Sequence, residues 1–233
     1  MPDLPYSTAL IVGAGPGISA SVARSLRSAG LTVGLAARNV EKLAPLAAEI
    51  GAATFAADAA NPDAVARLFD EADAKIGVPD LVVYNPSARV RGRIVDIDAG
   101  EVRRAIEISA FGGFLVVQQA ARRMEPKQHG AILLTGATAS TKGFALSSAF
   151  AMGKFALRGL AQSAARELGP QGIHVVHFVI DGGVRSAVRP DPADHPDSTL
   201  DPDGVAESYL AALRQPRSAW SWEIELRPWV ARF

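Results

Sequence analysis

Residues 8–19, Thr8-Ala9-Leu10-Ile11-Val12-Gly13-Ala14-Gly15-Pro16-Gly17-Ile18-Ser19, decide how the rest of the chain is read. Thr8–Val12 is a short apolar run, and Ile18–Ser28 reads as a helix that Gly30 stops. Gly13, Gly15 and Gly17 lie between them. Glycines at such a junction let the backbone turn tightly and approach a pyrophosphate, whose charge the helix N-terminus favours. Nucleotide binding is therefore the expectation. The G-x-G-x-x-G form needs Gly or Ala at position 18 and meets Ile18. The P-loop form needs Lys-Ser/Thr after the glycines and is absent. What fits is Gly-x-x-x-Gly-x-Gly with Ser19 in the last place.

Outward from this junction, short apolar runs alternate with helical stretches. Strands are expected at Thr32–Ala37, Ala53–Ala57, Leu81–Tyr84, Ala131–Leu134, Ile173–Ile180 and Trp222–Leu226. Asn39 can cap a helix over Val40–Ile50, and Asn61-Pro62 starts one that runs to Ile76. A long helix is expected over Ala99–Met124 with Gly112-Gly113 inside it, another over Ser148–Leu168, and a last one from Asp201-Pro202. This rhythm predicts an α/β fold: a Rossmann-like, doubly wound parallel sheet of about seven strands with helices on both faces. No linker interrupts it, so residues 1–233 read as one domain. Ser186–Leu200 is rich in Pro, Asp and Ser and has no periodicity. It leaves the carboxyl end of a strand, where ligands sit in such sheets, so it is a candidate substrate lid.

Composition narrows the function. The 233 residues contain no Cys, which excludes a disulfide framework, a thiolate zinc site and a cysteine nucleophile. Lys plus Arg and Asp plus Glu are both 24, so no basic footprint for nucleic acid exists. The longest apolar stretch, around 114–117, is broken by Gln118 and Gln119 and is too short for a bilayer, and Asp3 stands where a signal peptide would be basic. No metal, membrane or nucleic-acid partner is expected; a cytoplasmic location is.

Several motifs together resemble the short-chain dehydrogenase/reductase family, over about Thr8 to Ser186. Beside the glycine junction these are Asp58 after the third strand, Tyr84-Asn85-Pro86-Ser87 where the family has Asn-Asn-Ala-Gly, and Phe150-Ala151-Met152-Gly153-Lys154 where it has Tyr-x-x-x-Lys. Asp181-Gly182-Gly183-Val184-Arg185-Ser186 is similar to its Pro-Gly-x-Val-x-Thr. The resemblance implies a dinucleotide site formed by Gly13, Gly15, Pro16, Gly17, Ile18, Arg38, Asn39, Asp58, Ala59, Asn85, Pro86, Lys154, Gly183 and Val184. It also implies a small-molecule substrate, and a homodimer or homotetramer formed through the two longest helices.

Cofactor choice follows from charge. An acid at the end of the second strand accepts from a ribose 2′-OH and repels a 2′-phosphate. The chain has Ala36-Ala37-Arg38-Asn39 there, and Arg38 can pair with a 2′-phosphate, with Lys42 assisting. NADP(H) is expected over NAD(H).

The family's catalytic positions are altered. Four residues before Lys154, where the proton-donating Tyr is expected, stands Phe150, and the family's serine position holds Ala137. Its helical Asn position holds Ser109. The family's enoyl reductases space Tyr and Lys by seven, which here meets Ser147. Of the other phenols, Tyr6 and Tyr209 lie far away in sequence, and Tyr84 ends the fourth strand. Phenylalanine cannot donate a proton, and losing a general acid costs about 10²–10⁴ in rate. Hydride transfer needs only a positioned nicotinamide and an electrophile. The expectation is an NADP(H)-dependent oxidoreductase with an atypical site, acting on an activated C=O, C=C or C=N acceptor. Lys154 remains, and Ser109, Thr138 and Ser148 are candidate substitute hydroxyls beside Ser147 or a water. The alternative is a catalytically degenerate NADP(H)-binding protein, a sensor or the inactive partner of a related subunit. His174 and His177, three apart on one strand, face opposite sides and are expected to pack rather than chelate.

Overall fold

The computed structural model describes residues 4–231. Seven strands form one sheet: β1 (Thr8–Val12), β2 (Thr32–Ala37), β3 (Ala53–Ala56), β4 (Leu81–Tyr84), β5 (Gly130–Thr135), β6 (Ile173–Ile180) and β7 (Glu223–Leu226). Their order is β3-β2-β1-β4-β5-β6-β7 and every pairing is parallel, the doubly wound arrangement expected. Strand bounds differ from the sequence reading only at ends. β3 stops one residue early, β5 extends to Gly130 and Thr135, and β7 starts at Glu223.

The helices are α1 (Ile18–Ser28), α2 (Ala44–Ile50), α3 (Pro62–Ile76), α4 (Ala99–Ile106), α5 (Gly112–Met124), α6 (Ser148–Leu168) and α7 (Pro202–Leu213). Side chains alternate across the sheet, as the period of a strand requires. Ala9 and Ile11 of β1 pack with Leu26 of α1, Leu46 of α2 and Leu210 of α7 on one face. Leu10 and Val12 pack with Phe69 of α3, Val116 of α5 and Leu157 of α6 on the other. The strand order reverses between β1 and β4, which opens a crevice at their carboxyl ends.

Two regions depart from the sequence reading. The single helix expected over Ala99–Met124 is divided by a π-helical segment, Glu107–Phe111, between α4 and α5. The Tyr84 hydroxyl donates to the Ile108 carbonyl inside this segment, giving an outside partner where the widened turn loosens the helical ladder. A side chain at Gly112 would place its Cβ 2.5 Å from both the Ala59 carbonyl and the Tyr84 hydroxyl, so only glycine fits where the helix resumes. The expected helix over Val40–Ile50 begins as a 3₁₀ turn, Glu41–Leu43, and Asn39 Oδ1 accepts from the Lys42 N–H at 3.3 Å.

The segment 186–200 is irregular but tied down. Val184 bridges to Leu200, closing its base. Asp191 accepts from the backbone N–H groups of Thr199 (2.9 Å) and Asp197 (3.1 Å). Arg185 pairs with Asp191 at 3.4 Å, with Asp197 at 3.8 Å and with Asp201. The acidic composition that reads as shapeless thus supplies the loop's own fastenings. Among the described residues no helix is long and apolar enough to cross a membrane.

Candidate functional site

The crevice between β1 and β4 holds two cavities that share Asn85 and Ser87. The first, about 420 Å³, runs from the glycine loop past Arg38, Asn39 and Lys42 to Asp58 and Ala59. The second, about 560 Å³, extends from Ile18 along the ends of β5 and β6 to Lys154, Phe150 and Val184.

The glycine loop is shaped by close contacts on one side and open space on the other. A Cβ at Gly13 would meet the Pro86 ring and nitrogen at 2.6 Å, and Gly13 has φ 78°. Among the described residues nothing stands within 4 Å of a Cβ at Gly15 or Gly17, and Gly17, with φ 84°, begins α1 without a side-chain cap. The N–H groups of the first helical turn therefore face a space, not a protein acceptor. Ser19 is buried; its hydroxyl donates to the Gly13 carbonyl at 3.2 Å and accepts from Asn85 Nδ2 at 2.6 Å. This ties the loop to the end of β4. The sequence reading placed Ser19 at the last glycine position without seeing this bond. A pyrophosphate fits the open side of such a loop.

Arg38 and Lys42 are exposed beside this cavity, and neither forms an ion pair among the described residues. Asp58 is engaged by the protein: its carboxylate accepts from the Ala60 N–H at 3.1 Å and pairs with Arg104 of α4. Burial acts to raise its pKa, but these donors outweigh that and hold it below the usual range. Arg104 lies 46 residues away in sequence, and no local pattern announces it.

The second cavity is walled by side chains. Lys154 is 2% exposed, and its Nζ donates to the Thr135 carbonyl at the end of β5, 2.7 Å away. Burial, reinforced by the nearby Arg89 charge, pulls its pKa down to about 7. Phe150 and Ala137 line the same cavity and give that part of its wall two apolar side chains. Arg89 lies over the Phe150 ring, with its guanidinium carbon 4.4 Å from the ring centroid. The sequence reading missed Arg89 and Arg189, which also line this cavity.

The candidate hydroxyls fall in different places. Thr138 and Ser147 line a side lobe of about 280 Å³ that adjoins Phe150 and Ala137. Ser109 is fully buried in the π segment, where its Oγ accepts from the Ala88 N–H at 3.4 Å and its Cβ lies 2.7 Å from where a Cβ at Gly153 would sit. It lines neither cavity. Ser148 begins α6 and lines neither cavity as well. Gly183 borders the side lobe, and Val184 the cavity itself.

None of the three phenols lines either cavity. Tyr84 is fully buried against Ile108, and burial pushes its pKa up. Tyr209 of α7 shares a 2.8 Å hydrogen bond with the Thr135 hydroxyl, inside the core. Tyr6 stacks on His129, ring centroids 5.3 Å apart, and burial raises its pKa to about 12. His174 stacks on Trp220 at 4.5 Å, and His177 Nδ1 meets Glu223 Oε2 at 3.0 Å, so the two histidines do face different neighbours. Burial holds the His177 pKa down at about 4, which keeps it neutral at physiological pH. No cluster of metal-ligating side chains occurs among the described residues.

Known proteins are similar in sequence and fold. An uncharacterized oxidoreductase of Staphylococcus aureus strain MW2 is 29% identical over 229 residues, covering 94% of this chain and 96% of that protein. The crystal structure of a short-chain dehydrogenase from Rhodopseudomonas palustris superposes with a TM-score of 0.82 at 36% identity, covering 96% of this chain and 99% of the other. A metagenomic short-chain oxidoreductase solved in complex with NADP gives a TM-score of 0.83 at 27% identity, over 95% of this chain and 97% of its own. The family model described as short chain dehydrogenase matches residues 7–194, which span the glycine loop, both cavities and Lys154, and the chain belongs to that family of oxidoreductases.

Proposed function

We propose that the protein binds NADP(H) along the two joined cavities and transfers hydride to an activated C=O, C=C or C=N acceptor in the cavity beside Phe150. The observation that carries this reading is the continuity of the groove at Asn85 and Ser87, with Arg38 at one end and Lys154 at the other. The uncapped start of α1 and the open space at Gly15 and Gly17 suit the pyrophosphate. Arg38, with Lys42 beside it, supplies charge for a ribose 2′-phosphate and gives the preference for NADP(H). When bound, the reduced cofactor supplies the hydride. Lys154, anchored to the Thr135 carbonyl, offers its remaining N–H groups to the groove. Phe150 and Ala137, beside the acceptor, carry no proton to give it. Acceptors that need little proton assistance are therefore favoured: an iminium, which becomes a neutral amine on hydride addition, or a conjugated enone, whose enolate water can protonate.

Other features extend the reading. Ser186, Val188 and Arg189 of the segment 186–200 border the reacting cavity, in the place of a lid over the substrate. Phe111 and Phe114 stack at 6.4 Å on the outside of the π segment and α5, and Met152 and Phe155 are exposed on α6. These apolar surfaces support a homodimer or homotetramer built on α5 and α6. A cytoplasmic location goes with the same reading.

The test is to titrate NADPH and NADH by fluorescence and then follow NADPH oxidation with ketones, enones, quinones and cyclic imines. Tighter binding of NADPH and turnover of an enone or imine are expected. Binding without turnover on any acceptor favours the second reading, an NADP(H)-binding sensor or inactive partner subunit. That reading has the absence of a proton donor at Phe150 and Ala137 behind it.

A further inference from the structure

The arginines around the reacting cavity differ in how their charge is met. Arg185, at the root of the segment 186–200, is surrounded by Asp191, Asp197 and Asp201. Four residues on, Arg189 lines the cavity and forms no ion pair among the described residues. Arg89 lines it from the loop after β4 and likewise has no carboxylate partner among them; its contact is the face of Phe150 at 4.4 Å. Among the described residues no Asp or Glu lines this cavity or the side lobe that continues from it past Arg91 and Phe144. Arg89 and Arg189 also lie near enough for the charge of one to depress the pKa of the other, after the larger effect of burial.

Two guanidinium groups held close without an acid between them are unfavourable by Coulomb repulsion unless an anion joins them. A carboxylate matches the planar fork of an arginine and accepts from it bidentately. The remaining walls are apolar: Phe150, Phe144, Ile180 and Val184. We infer that the substrate carries a carboxylate or similar oxyanion on an apolar body, with the anion held between Arg89 and Arg189 and the body lying along Phe150 toward the side lobe. This deepens the proposed hydride-transfer reading and rests on it. Arg89 occupies the face of the ring that replaces the family's phenol, so it holds the substrate beside the position from which a proton donor is missing. The opposite end of the groove, with Arg38 and Lys42, is separate from these two arginines, so the two anion sites can be tested independently.

The experiment uses the full chain saturated with NADP⁺ and measures binding of two probes of one shape, trans-cinnamate and trans-cinnamamide, by calorimetry. Cinnamate should bind about tenfold or more tightly than the amide, from charge-assisted hydrogen bonds. Arg89→Met and Arg189→Met should each remove most of that preference while leaving NADP⁺ affinity within about twofold, and Arg89→Lys should restore part of it. Both side chains are solvent-accessible, so these variants are expected to fold, and unchanged NADP⁺ binding verifies that they have. Equal affinity for acid and amide overturns the inference, as does a preference that survives both substitutions, or failure of cinnamate to bind the NADP⁺ complex at millimolar concentration. A loss of NADP⁺ binding in both arginine variants overturns it differently, by assigning the cations to the cofactor's own phosphates. Failure of the unaltered chain to bind NADP⁺ overturns the hydride-transfer reading together with the inference.

Discussion

Beside β1 and β2 the near wall of the groove is a backbone turn at Gly13 and Gly15, joined farther out by Arg38, Asn39 and Lys42, whereas beside β5 and β6 the wall is made of side chains around Phe150 and Lys154. The backbone half can change only where a residue fits the turn: a Cβ at Gly13 would collide with Pro86 at 2.6 Å, whatever the cofactor. The side-chain half has no such constraint. Phe150, near the start of α6, and Ala137, just after β5, line the cavity beside the Lys154 bond to Thr135. A turn fixed by close contacts tolerates fewer substitutions than a wall of side chains.

The largest expected effect breaks this contrast by placing a phenol and a hydroxyl in the side-chain wall. The double change Phe150→Tyr with Ala137→Ser should raise NADPH-dependent ketone reduction by about 10²–10⁴, the range of a general acid. Steady-state rates on a ketone panel check it, with NADPH affinity unchanged. No gain despite normal binding means that the cavity has diverged beyond those two positions.

A smaller effect sharpens the other half. Arg38→Asp should weaken NADPH by about 10–100-fold and NADH far less, from loss of a charge-assisted pairing and gain of repulsion. Fluorescence titration of both nucleotides reads the ratio, and equal losses refute the 2′-phosphate contact.

The smallest effect concerns the residue at the meeting of the halves. The Lys154 pKa falls from 10.5 to about 7 on folding, so between those values the unfolded chain binds a proton that the folded chain refuses. The linkage slope is then positive, and Lys154 makes stability rise with pH from about 7 to about 10.5. Urea midpoints of the cofactor-free protein at pH 7 and pH 9 should increase more for the unaltered chain than for Lys154→Met. Parallel changes in both proteins refute a depressed lysine.

Much of the fold was legible because its signals are local. Apolar runs bounded by Gly and Pro gave each strand to within a residue or so, and β6 at both ends. The glycine loop was legible for the same reason, since strand, glycines and helix follow one another in sequence. The π segment was not, and the hydroxyl that bonds its Ile108 carbonyl comes from a strand residue 24 positions upstream. Arg89 and Arg189 were also invisible: they approach the same cavity from segments 100 residues apart, and neither lies in a motif. Ser109 shows the limit of placing residues by motif alone. Its position follows the pattern, yet its hydroxyl turns to the Ala88 N–H and away from both cavities.

The widened turn at Glu107–Phe111 also acts as an angular setting for everything after it. An α-helix turns about 100° per residue, so removing one residue to restore a regular helix would rotate α5 by that amount about its axis. Gly112 and Gly113, which now face Ala59, Tyr84 and Leu157, would swing away, and Phe111 and Phe114 would leave the outer face. One residue of chain length thus sets the heading of an entire helix, both the side it presents to the sheet and the side it offers outward.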